Sequence, residues 1–176
     1  MTHRPGTGSI LIRRAEQVAM LLSAVDRKLV LAESCTSGLI AASLGRIPGI
    51  SHYFCGSAVT YRESVKQAWL SVRGRDLERY SAVSDPVARQ MAVGILKATD
   101  EADYAASVTG HLGPDAPAIQ DGLVFVAIAV RLGRLIRIRH SAKRVLQSQS
   151  RIARRNEAAS ITLELLAQAI EQERDR

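Results

Sequence analysis

Residues 29–38, LVLAESCTSG, decide how this chain is read. Leu29 to Ala32 form a short apolar run of the length and composition of a buried strand. Polar residues follow as a turn, and Gly38, Leu39 and Ile40 open a helix. A strand passing through a polar turn into a helix is the start of a layered α/β sheet. The turn places Ser34, Cys35 and Thr36 at a helix N-terminus, where unpaired N–H groups and the positive end of the helix dipole collect. That setting suits a nucleophile, an oxyanion hole or a bound anion. An ordinary Ser/Thr helix cap uses the same residue types.

Working outward, residues 10–27 carry Ala15, Val18, Leu22 and Val25 at helical spacing. The first strand covers 28–32 and a helix covers 36–45, stopped by Gly45 and by Pro48-Gly49. Residues 53–61 read as a second strand, followed by a polar helical piece through Lys66 and Trp69. Ser84-Asp85-Pro86 starts a helix that runs to about residue 98. A third strand covers 104–109, and a Gly/Pro-rich loop covers 110–121. The apolar strand 123–130 turns at Leu132-Gly133 into 135–139, and a closing helix spans 151–171. The pattern predicts an α/β fold, a three-layer α/β/α sandwich with a mostly parallel central sheet and one antiparallel hairpin. Residues 1–9 are expected to be a flexible N-terminus and residues 10–172 a single domain. Ligand sites of such sheets lie beyond strand C-terminal ends. Ser34, Tyr61 and Thr109 all fall there.

Hydrolysis of an amide without a metal needs a nucleophile, a proton acceptor and an oxyanion hole. Ser34 is the candidate nucleophile. Cys35 is its rival, because a helix N-terminus lowers a thiol pKa, although small cysteines after strands are commonly packing groups. No His-Asp partnership suggests itself. Lys66 is the candidate base, provided burial or a nearby cation lowers its pKa; the plain alternative is a solvated surface lysine. Tyr61 could relay or orient the proton. Thr109, Gly110 and Gly113 lie in a backbone-rich loop that lets N–H groups approach a ligand, or that is simply a turn. Arg151 and Arg155 stand four apart at a helix start and could hold a phosphate together.

Four motifs occur in order: AESCT (32–36), Y-x-x-x-x-K (61–66), AVS-x-P-V-A (82–88) and T-G-x-x-G-P-D (109–115). Their order and spacing resemble the CinA C-terminal domain, a family that includes nicotinamide mononucleotide deamidases, over about residues 10–172. The resemblance implies water-dependent conversion of nicotinamide mononucleotide to nicotinate mononucleotide and ammonia. It implies Ser34, Tyr61 and Lys66 as catalytic residues, with N–H groups near Cys35 and Thr36 holding the oxyanion. A pyridine nucleotide is the implied substrate, and a homodimer or larger homo-oligomer the implied assembly. Ser37 replaces a usual glycine of the family pattern and Glu63 a usual asparagine. Residues 116–122, APAIQDG, replace a Gly-rich stretch, and Arg154 stands where an aliphatic residue is usual. Glu63 is i,i+3 to Lys66 and, if paired with it, would hold the lysine protonated. A catalytically weak nucleotide-binding relative is therefore a rival reading.

Composition sets the outer bounds. The chain has 176 residues and 47% hydrophobic residues, enough for one domain with its own core. No run is long enough to cross a bilayer, and MTHRPGTGS lacks the apolar segment of a secretory signal. Two cysteines and four scattered histidines give no ligand spacing, so neither a metal nor a cofactor is expected. A reducing, cytoplasmic setting fits. The net charge of +7 is local, because residues 131–155 hold nine Lys/Arg and no acid. A nucleic-acid surface is one reading of that segment. It contains no aromatic on which a base could stack, which favours a solvated hairpin face beside an anion pocket.

Overall fold

Every side chain of β1 (Leu29–Glu33) is buried. Leu29 and Leu31 enter one apolar cluster, and Val30 and Ala32 enter another. That is the period-two alternation of a strand covered on both faces. The computed structural model describes residues 7–114 and 116–174. The strands β2 (Phe54–Val59), β3 (Tyr104–Gly110), β4 (Leu123–Leu132) and β5 (Leu135–Val145) join β1 in a five-stranded sheet ordered β2-β1-β3-β4-β5. α1 (Thr7–Val25), α2 (Leu39–Leu44) and α6 (Arg151–Arg174) supply the first cluster. α3 (Glu63–Leu70), α4 (Gly74–Tyr80) and α5 (Asp85–Lys97) supply the second. The expected stripe of Ala15, Val18 and Leu22 is buried, and α1 is tied to α6 by Arg14–Glu164 at 3.2 Å.

The sheet is mixed rather than mostly parallel. β1 pairs in parallel with β2 and β3, whereas β3–β4 and β4–β5 are antiparallel. The β4–β5 hairpin turns at Gly133 as expected. The second antiparallel pair follows from the link between β3 and β4, whose described residues hold one short 3-10 turn at Ala118–Gln120. A parallel return has to carry the chain back along the sheet, usually through a helix, and among the described residues of the link there is none.

Other boundaries differ for local reasons. α2 starts at Leu39 instead of residue 36, because Ser37 and Gly38 have left-handed φ values of 51° and 86°. Residues 7–9 belong to α1 rather than to a loose terminus, while residues 1–6 and Asp115 of the T-G-x-x-G-P-D motif lie outside the described residues. α4 carried no periodic signal; its one buried apolar side chain is Leu77. Ser84 occupies the cap position of α5, yet its hydroxyl donates to Ser81 O at 2.9 Å instead of capping. Among the described residues, no helix is long and apolar enough to cross a membrane.

Candidate active site

β1, β2 and β3 are mutually parallel, so their C-terminal ends lie at one edge of the sheet. A cavity of about 660 Å³ opens there, with Ser34, Tyr61, Lys66, Thr109, Gly113 and Arg151 in its wall. Ser34 follows β1 and is 7% exposed; its N–H donates to Val108 O of β3 at 3.0 Å. Lys66 reaches it from α3. Lys66 is 1% exposed, and its Nζ lies 2.9 Å from Ser34 Oγ. Nζ also donates to the carbonyls of Thr60 (2.6 Å) and Tyr61 (3.3 Å). Burial lowers the lysine pKa to about 8, against an opposing pull from Cys35 and Glu63. A neutral amine has two N–H groups and one lone pair. Two carbonyls that can only accept take the N–H groups, which leaves the lone pair for the Ser34 hydroxyl. The solvated-lysine alternative does not apply in this fold.

Cys35 is buried, and burial pushes its thiol up to about 12. A thiol held in that state is a poor nucleophile. Within the turn, the N–H groups of Ser34, Ser37 and Leu39 meet carbonyls; among the described residues those of Cys35 and Thr36 do not. The start of α2 is not open to a ligand as expected. Its Ile40 and Ala41 N–H groups donate to the Glu33 carboxylate at 3.1 and 3.0 Å.

The remaining candidates are arranged as follows. The phenol of Tyr61 accepts from Arg151 Nη2 at 3.0 Å, and it is the Tyr61 carbonyl that meets Lys66. The Thr109 hydroxyl donates to Ala82 O at 2.8 Å. Gly110 is required by the sheet, since a Cβ there would lie 2.8 Å from Leu123 O. Gly113 has φ 65°, and its carbonyl accepts from Arg151 Nη1. Thr36 and Arg155 lie outside the cavity wall, so Arg151 and Arg155 are not brought together there. Glu63 is exposed at the rim and makes no ion pair with Lys66 among the described residues.

Three contributors had been given no role in the site from the sequence. Glu33 and Thr60 organise the Ser34 turn and the lysine. Arg154 grips Asp121 with two bonds of 2.6 and 2.8 Å and donates to Ser148 O at 2.8 Å. The guanidinium holds the Asp121 carboxyl below the usual carboxylate range. The signal for Glu33 was a charged residue closing an apolar strand. The signal for Arg154 and Asp121 was that both depart from the family pattern.

Comparisons with known proteins bear on the family and the fold. The family model for the CinA C-terminal domain matches residues 12–170. The nicotinamide-nucleotide amidohydrolase PncC of Escherichia coli K12 is 37% identical over 164 residues, 92% of this chain and 96% of the relative. A CinA-like protein of Syntrophomonas wolfei is 41% identical over 114 residues, 64% of this chain and 27% of the relative; the matched part is about a quarter of that longer protein. The competence/damage inducible protein CihA of Agrobacterium tumefaciens superposes with a TM-score of 0.84 at 30% identity, covering 96% of this chain and 99% of that one. With the match running from α1 to α6, and with its sheet and serine turn in place, the chain belongs to the CinA C-terminal domain family.

Proposed function

We propose that this protein hydrolyses the carboxamide of nicotinamide mononucleotide to give nicotinate mononucleotide and ammonia. The observation that carries the reading is the buried Lys66 amine 2.9 Å from Ser34 Oγ. Ser34 Oγ attacks the carboxamide carbon while its proton passes to Lys66 Nζ. The N–H group of Cys35, which lies in the cavity wall, receives the developing oxyanion. The C–N bond breaks, the amine leaving group takes the proton from Lys66, and an ester to Ser34 remains. Water then attacks the ester, gives a proton to Lys66, and Ser34 leaves with that proton. Arg151, held by Tyr61 and Gly113, faces the cavity and takes the phosphate. Thr109, Gly110 and Gly113 line the same space. The likeness to E. coli PncC supports this substrate.

In this reading the sheet and its two helical faces form a three-layer α/β/α sandwich. The protein works in the cytoplasm, in NAD salvage, as a homodimer or larger homo-oligomer, with no nucleic-acid partner. The free thiols of Cys35 and Cys55 fit a reducing compartment. The test is ammonia release from purified protein given nicotinamide mononucleotide. Release that is lost in Ser34→Ala supports the reading; no release from the wild type overturns it.

A further inference from the structure

Glu33 stands immediately before Ser34 and is 0% exposed. Its carboxylate accepts from Ile40 N (3.1 Å), Ala41 N (3.0 Å) and Ser57 Oγ (3.1 Å). The side chain therefore spans the turn from its first residue to the start of α2, with Ser34, Cys35 and Thr36 inside the closed ring. That turn needs closing, because Ser37 sits at φ 51°, which a residue with a Cβ adopts at a cost. The main chain of Glu33 acts on the other half of the site. Its carbonyl accepts from Thr60 N at 2.8 Å, and the Thr60 carbonyl in turn accepts from Lys66 Nζ. Ser57 belongs to β2, the strand that leads into Thr60. One residue thus ties the nucleophile turn to the lysine cradle.

We propose that Glu33 is a positioning residue that sets the approach of Ser34 Oγ to Lys66 without touching substrate. The proposal rests on the reading of Ser34 as nucleophile. A carboxylate is needed because both helix-start groups are donors. In Glu33→Gln one amide nitrogen, itself a donor, faces an N–H, and the ring opens at that bond.

The test is the rate at which a fluorophosphonate labels Ser34, followed by intact mass. In that step the Oγ–P bond forms and fluoride leaves, while the serine proton passes to Lys66, so no nucleotide is needed. Melting curves of each variant are run beside it. Wild type labels and Ser34→Ala does not. Glu33→Gln, folded at the assay temperature, labels roughly tenfold more slowly or worse, as misplacement by about 1 Å predicts. Its labelling still runs to completion by intact mass, so the slower rate belongs to a full complement of folded protein, and in the ammonia assay it loses kcat with KM nearly unchanged. Ser57→Ala removes one donor only, and slows labelling about threefold. Wild-type labelling rates in folded Glu33→Gln overturn the proposal. If Glu33→Gln does not fold, Ser57→Ala decides, and an unchanged rate there overturns it. A wild type that resists labelling overturns the nucleophile itself, and the proposal with it.

Discussion

A charged ammonium loses its hydration when buried, and that loss pulls the Lys66 pKa down towards neutrality. With its pKa near 8, only about a tenth of the lysine is neutral at pH 7. The rate kcat/KM is expected to rise with pH and level off above about 8, which a pH–rate profile checks. Glu63→Asn should move that profile slightly to lower pH, since Glu63 raises the lysine pKa from the rim without pairing with it. The same shift marks stability. Between about 8 and the ordinary lysine value of 10.5 the unfolded chain binds more protons than the folded one, so stability rises with pH in that window. Relative to Lys66→Met, wild type should gain on the order of 1–3 kcal/mol across it, read from denaturant unfolding at several pH values. Ser34→Ala should abolish activity with the fold intact, and Cys35→Ala should be milder. Ser37→Gly relieves a left-handed φ and should stabilise by about 1 kcal/mol without loss of activity, as paired melts and rates would show. The serine and lysine were legible as chemistry in a known order of motifs. The direction of the Tyr61 phenol and the distance of Arg155 from the cavity were not, because packing between remote elements sets where a side chain points.

The two departures noted in the sequence, Arg154 and the 116–122 stretch, turn out to be partners. Arg154 on α6 holds Asp121 at the end of the β3–β4 link, and Arg151, one turn earlier, donates to the Gly113 carbonyl. A Cβ on Gly113 would lie 2.9 Å from both Arg154 Nη1 and Asp121 Oδ1, so the link passes directly beneath the ion pair. Asp121→Ala should speed amide exchange over residues 111–122 and raise KM severalfold with little change in kcat; exchange mass spectrometry and steady-state rates check it. α3 is seated just as closely. Gly94 of α5 faces the Leu70 carbonyl, and a Cβ there would overlap the oxygen. Gly94→Ala should cost about 1–3 kcal/mol and lower kcat by displacing the helix that carries Lys66. Strands and long helices were legible because their apolar periods are strong. α4 was not, with one buried apolar side chain, and neither was the true start of α2, which depends on two left-handed residues.

For the whole molecule, the parallel half of the sheet could be read from alternating strands and helices. The antiparallel half beyond its hairpin depended on whether the β3–β4 link carries a crossover helix, and among its described residues it holds a 3-10 turn instead. The basic segment also resolves. Arg131 donates to the carbonyls of Leu96, Thr99 and Ala102, Arg139 meets Glu173, and Arg151 and Arg154 hold the cavity wall. Arg134, Arg137, Lys143 and Arg144 remain exposed on the outermost strand and its turn. β5 is eleven residues long, and one side of it is unpaired within the sheet. Such an edge is a template for joining a second strand, and like charges along it oppose that joining. Colloidal behaviour should therefore follow the electrolyte: screening by added salt brings these edges within reach of one another. Static light scattering should rise with ionic strength, and at lower salt once Arg137 and Lys143 are replaced by threonine; a flat response in both would assign solubility to another surface.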